Sequence, residues 1–75
     1  MTNNFSNNLK ILRKENKLSQ HDLASYLNIS SKTISSWEKR RSEPKIDMLL
    51  KLCDYFHVTL DGLIKGMEEK RNDKR

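Results

Sequence analysis

The stretch Leu27–Pro44, LNISSKTISSWEKRRSEP, crowds hydroxyl and basic side chains around the single tryptophan of the chain. Hydroxyls donate and accept hydrogen bonds, whereas lysine and arginine donate them and carry charge, so this is chemistry for gripping a polar, anionic surface. Serine is a mediocre residue for a helix interior because its hydroxyl competes for the backbone. Yet Ile34 and Trp37 lie one turn apart, the spacing of a helix with one narrow apolar edge. With their midline taken as the core direction, Lys32, Ser35, Ser36 and Lys39 face away, and Ser31 sits at the exposed N-terminal tip. The major groove of DNA suits such a face: it admits an α-helix and displays donors and acceptors that Lys32, Ser31, Ser35 and Ser36 can address. A solvated helix surface has the same composition, so this helix alone does not decide.

Catalysis and metal binding find less support. The SWEK run from Ser36 to Lys39 has the serine-to-lysine spacing of penicillin-recognising enzymes but lacks their length and companion motifs. His21 and His57 are far apart and have no cysteine or carboxylate constellation around them. Cys53 is the only cysteine, which excludes an internal disulfide, and it falls on an apolar stripe where a small buried hydrophobe is expected. Trp37 is expected in the core. Neither an enzyme nor a bound cofactor or metal is expected.

The elements that must position the outward face follow from periodicity. Phe5, Leu9 and Leu12 predict a first amphipathic helix over Ser6–Asn16. Ser19 is placed to cap a second helix, with Asp22 three residues on and Leu23, Ala24 and Leu27 as its buried stripe. Asn28 tolerates the left-handed conformation that would end it. Ser30 is the natural cap of a third helix, Ser31–Lys39. After a loop around Pro44, the spacing of Ile46, Leu49, Leu50, Cys53 and Phe56 predicts a fourth. Thr59 caps a short fifth helix carrying Leu60, Leu63 and Ile64, with Gly66 as its stop. No run alternates as a strand does. Residues 1–66 are therefore read as one all-α domain of five short helices, and the charged residues 67–75 as a flexible tail.

Seventy-five residues leave room for one domain and no deep cleft. No apolar run approaches the roughly 20 residues that span a bilayer, and no signal-type segment opens the chain, so a cytoplasmic protein without a membrane partner is expected. The net charge of +5 is uneven: Lys10–Lys45 holds nine basic and four acidic residues, Ile46–Ile64 one and three. The first half carries the positive field of a polyanion binder.

Two short helices joined by the tight LNIS turn, the second polar outward and both apolar inward, are laid out as a helix-turn-helix. The sequence LSQHDLASYLNISSKTISSWEKRRSEPKIDMLLKLCDYFHVTLDGLI, preceded by LKILR, resembles the Cro/repressor helix-turn-helix (XRE-type) transcriptional regulators over Leu9–Ile64. The resemblance implies a compact lambda-repressor-like domain. It implies base reading by Ser31, Lys32 and Ser36, and DNA-backbone contacts from Gln20, Thr33, Ser35, Lys39, Arg40 and Arg41. It also implies a structural Arg13–Glu38 ion pair and dimerisation through Leu60, Leu63, Ile64 and Met67. Lys45 departs from the Ser or Thr cap common before the fourth helix, and Asn28 and Arg40 stand where relatives carry glycine. The implied function is sequence-specific binding of double-stranded DNA by a phage- or prophage-type repressor, homodimeric at least on a palindromic operator. The rival is an antitoxin- or antirepressor-like module that binds another protein and touches DNA secondarily.

Overall fold

The computed structural model describes residues 4–65. They form α1 (Phe5–Glu15), α2 (Gln20–Leu27), α3 (Ser31–Glu38), α4 (Ile46–Phe56) and α5 (Leu60–Lys65), with no strand among the described residues. The all-α five-helix expectation holds. Gly66, Met67 and the charged tail lie outside the described residues.

Three caps expected from sequence are formed. Ser19 accepts from the Asp22 amide at 2.9 Å while Asp22 Oδ2 accepts from the Ser19 amide at 2.9 Å, a reciprocal box that satisfies two orphan donors. Ser30 Oγ accepts from the Thr33 amide at 3.3 Å, and Thr59 Oγ1 from the Gly62 amide at 2.9 Å. Lys45 gives α4 no side-chain cap; in its first turn Asp47 Oδ1 accepts from the Met48 amide at 2.9 Å.

The centre of the core takes one fully buried side chain from each helix: Leu9, Leu23, Ile34, Leu52 and Leu63, all with no solvent exposure. Each such burial contributes about 1.5–3 kcal/mol, so no helix is dispensable to a domain this small. Trp37 and Phe5 meet edge to face in the same cluster, 6.4 Å between ring centroids. Polar groups on α1 tie off the ends of other helices. Buried Ser6 donates to the Trp37 carbonyl at 2.6 Å and buried Asn8 to the Leu63 carbonyl at 2.8 Å. The amide and side chain of Asn4 donate to the carbonyls of Ile64 and Lys65.

The fourth helix forms where the spacing of Ile46, Leu49, Leu50, Cys53 and Phe56 predicts it; Cys53 and Phe56 are buried together with Leu52, Leu49 is half-buried against them, and Ile46 and Leu50 are exposed (59% and 53%). One expectation is corrected. Leu63 is wholly buried inside the domain, so it offers no surface for a second copy. Leu60 and Ile64 are half-buried and keep an exposed edge.

Candidate nucleic-acid interface

The segment richest in hydroxyls and cations folds as α3, and α2 packs against it more extensively than any other two helices pack together. Asn28, at φ 64°, ψ 42°, makes the turn between them, and Leu23, Ala24 and Leu27 of α2 close on Ile34 and Trp37 of α3. All the apolar content of α3 is thereby spent inward. Of its other residues Glu38 turns inward to Arg13, and the rest are left at or near the surface.

Helices α1 to α4 end in the same way. A left-handed residue, Lys17, Asn28, Arg40 or His57, is followed by one whose amide bonds back five residues: Leu18 to Arg13, Ile29 to Ala24, Arg41 to Ser36, Val58 to Cys53, all at 2.9–3.0 Å. This is the Schellman closure, which usually places glycine at the left-handed position and an apolar residue after it. Leu18, Ile29 and Val58 obey, packing on the core. The third helix breaks the pattern with Arg41, which stays exposed and lies beside the outward face of α3. The closure that elsewhere pins an apolar side chain inward here fixes the backbone of a cation.

The result is a shallow open depression of about 370 Å³ lined by Lys32, Ser35, Ser36, Lys39 and Arg41. Three cations and two hydroxyls surround it and no carboxylate does, so its lining is wholly favourable to an anion. Ser36 Oγ is hydrogen-bonded to Ser42 Oγ at 2.8 Å. Of the residues implied by the resemblance, the depression unites Lys32, Ser36, Ser35, Lys39 and Arg41. Ser31, Thr33, Gln20 and Arg40 are not part of its lining. Ser31 is half-buried in the first turn of α3, the Thr33 hydroxyl pairs with Ser30 Oγ at 3.0 Å, and Arg40 is exposed.

Gln20 is tied to a buried charge network. Arg13 grips Glu38 with two hydrogen bonds, Nε to Oε2 at 2.7 Å and Nη2 to Oε1 at 3.0 Å, and its Nη1 donates to the Leu18 carbonyl at 2.9 Å. Gln20 Nε2 donates to Glu38 Oε1 at 3.1 Å, which leaves its second N–H available to an acceptor such as phosphate. One carboxylate therefore joins α1, the start of α2 and the end of α3. Burial pushes the Glu38 carboxyl up, but hydrogen bonds from Arg13 and Gln20, with the charges of Arg13 and Lys10, hold it below its ordinary value. The same hydrogen bond raises the Arg13 guanidinium further. Asp22 is lowered by the backbone and side-chain hydrogen bonds of its capping box.

The remaining reactive residues stand apart. Cys53 is buried, which pushes its thiol up and away from the reactive thiolate, and His21 and His57 are exposed. Among the described residues no three His, Cys, Asp or Glu side chains gather as metal ligands, and no helix is long and apolar enough to cross a membrane. Sequence reasoning did not single out Ser42: it lies in the loop after α3, beyond reach of helical periodicity, where the Arg41 amide bonds back to Ser36 and the Ser42 hydroxyl meets that of Ser36.

Residues 9–63 match the family model described as Helix-turn-helix. The transcriptional activator BcrR of Enterococcus faecalis is 36% identical over 64 residues, which cover 85% of this chain and 31% of BcrR. The cryptic phage CTXphi transcriptional repressor RstR of Vibrio cholerae is 27% identical over 70 residues, 93% of this chain and 63% of RstR. A crystal structure of a transcriptional regulator from Listeria innocua superimposes with a TM-score of 0.81 at 33% identity, covering 85% of this chain and 60% of that one. The chain thus spans less than two thirds of each of these proteins.

Proposed function

This chain belongs to the helix-turn-helix family of DNA-binding transcriptional regulators, and we propose that within it the chain is a phage- or prophage-type repressor that binds a palindromic operator as a homodimer. The observation that carries the reading is the acid-free depression of Lys32, Ser35, Ser36, Lys39 and Arg41 on the second helix of the motif and the loop that closes it. Short hydroxyls let the α3 backbone approach base edges in the major groove, and Lys32 has the reach and charge to address guanine O6 and N7. In this reading Ser31, Lys32 and Ser36 read bases. Thr33, Ser35, Lys39, Arg40 and Arg41 hold phosphates, and the free N–H of Gln20 meets a phosphate at the N-terminus of α2. The repressor assignment leans on RstR, a phage repressor by name.

A two-fold dimer places two recognition helices about 34 Å apart, one turn of DNA, and the edge formed by Leu60 and Ile64 is the proposed contact. Selection from a random duplex library near physiological salt tests the reading. Enrichment of an inverted repeat with half-sites one helical turn apart is expected. Folded protein that enriches no sequence would reverse it in favour of a protein-interaction module, and a promoter fusion that rises with the protein would make the regulator an activator.

A further inference from the structure

A lone serine is a poor reader of sequence. Its hydroxyl rotates freely, donates once and accepts twice, and so satisfies almost any base edge. Ser36 is not free in this way: its Oγ is held at 2.8 Å by Oγ of Ser42, six residues on in the loop after α3. The loop itself is fixed, because the Arg41 amide, next to Ser42, bonds back to the carbonyl of Ser36 at 2.9 Å. Two hydrogen bonds, one between backbones and one between side chains, therefore connect Ser36 to the Arg41–Ser42 pair.

We infer that Ser42 is a specificity-determining residue that orients the Ser36 hydroxyl for base reading without itself touching a base, an inference that rests on the base-reading role of Ser36. The mechanism is a reduction of choice. If Ser42 donates to Ser36, one Ser36 lone pair is consumed and its O–H and one lone pair remain; if Ser36 donates, it keeps only lone pairs. Either arrangement holds the Ser36 oxygen where it reaches Ser42 and narrows what it can offer a base. The outward donor matches guanine O6 or N7 and thymine O4, and the outward acceptor matches the amino groups of adenine and cytosine. Ser42 thereby narrows the positions and partners open to the Ser36 hydroxyl.

The test compares base preference at every position of the enriched duplex for the unaltered chain, Ser36→Ala, Ser42→Ala and Ser42→Thr, with folding of each checked by circular dichroism. Ser36→Ala should flatten preference at particular base pairs. Ser42→Ala should flatten it at those same base pairs, discrimination falling about three- to tenfold, the worth of one oriented hydrogen bond. Ser42→Thr, which keeps the hydroxyl, should retain it. If Ser36→Ala flattens preference while Ser42→Ala leaves it intact or weakens all duplexes equally, Ser42 is no more than a loop or phosphate residue and the inference is overturned. If Ser36→Ala itself changes no preference, the base-reading role of Ser36 fails and the inference falls with it.

Discussion

Arg13→Ala is the perturbation that weighs most on the fold. The ion pair is nearly dry, with side-chain exposures of 10% for Arg13 and 2% for Glu38, and it is bidentate. Removing the guanidinium leaves Glu38 with the Gln20 amide as its remaining hydrogen-bond donor of the network, and it strips the Leu18 carbonyl of the Arg13 donor. Breaking one side of a buried pair costs about 3–5 kcal/mol, because the surviving charge is stranded away from water. A 75-residue domain has on the order of 4–11 kcal/mol of stability in total. The variant should therefore lose a large share of that stability, with Tm lowered by about 12–24 °C at the low end of that cost. Urea unfolding at pH 7 followed by far-UV circular dichroism measures it. The double variant Arg13→Ala/Glu38→Ala should be less damaged than the two single losses added together, since it strands no charge. A loss below about 1 kcal/mol for Arg13→Ala, the worth of an exposed pair, would refute the claim that this network joins three helices by buried charge.

The same carboxylate sets a pH dependence. Because the folded pKa of Glu38 is depressed, its contribution is fully present above the ordinary carboxylate pKa and is lost as pH falls through the folded value. Unfolding free energy should hold level from neutrality down to about pH 5 and then decline; Glu38→Gln should shorten that decline, and an unaltered acid limb would remove Glu38 as its source. Arg40 holds a left-handed backbone at φ 64°, where a side chain costs about 1–2 kcal/mol that glycine avoids at the expense of some chain entropy. Arg40→Gly should raise stability by about 0.5–1 kcal/mol and reduce the slope of log affinity against log salt by about one unit, the mark of one lost phosphate contact. An unchanged slope would take Arg40 off the phosphate backbone.

Local chemistry was legible where the residue itself carries the signal. Ser19, Ser30 and Thr59 cap the helices they precede because a hydroxyl at that position bonds the exposed amides whatever the tertiary context. Asn28 turns left-handed because asparagine tolerates it. Lys17 and Arg40 adopt the same conformation with no such signal, and His57 with the weaker one that histidine carries; the Schellman closure accompanies it in each, with Leu18 and Val58 packing inward after Lys17 and His57. Which side of α4 is buried is not legible in the spacing, because this helix is apolar around much of its circumference. The i, i+3, i+4 spacing fits a line through Ile46 and Leu50 as well as one through Leu49 and Leu52, and only the neighbouring helices choose between them. Asn4, Ser6 and Asn8 look like ordinary surface residues in the sequence, since the carbonyls they satisfy lie 31 to 61 residues away. Within the interface, the outward face of α3 came from periodicity, and the Arg13–Glu38 pair from resemblance alone. The links from Gln20 to Glu38 and from Ser42 to Ser36 depend on where the chain returns in space.

Base reading by the outward face of α3 is what separates a sequence-specific regulator from a protein that merely coats DNA, and Lys32 is the exposed, charged member of that face nearest its N-terminus. The direct measurement is the affinity of the unaltered chain and of Lys32→Ala for the enriched duplex and for every single-base-pair variant of it. Lys32→Ala should lose about 1–3 kcal/mol of discrimination, confined to one base pair or two adjacent ones in each half-site. An equal loss on every duplex would make Lys32 a phosphate contact and contradict its assignment as the charged base reader of α3.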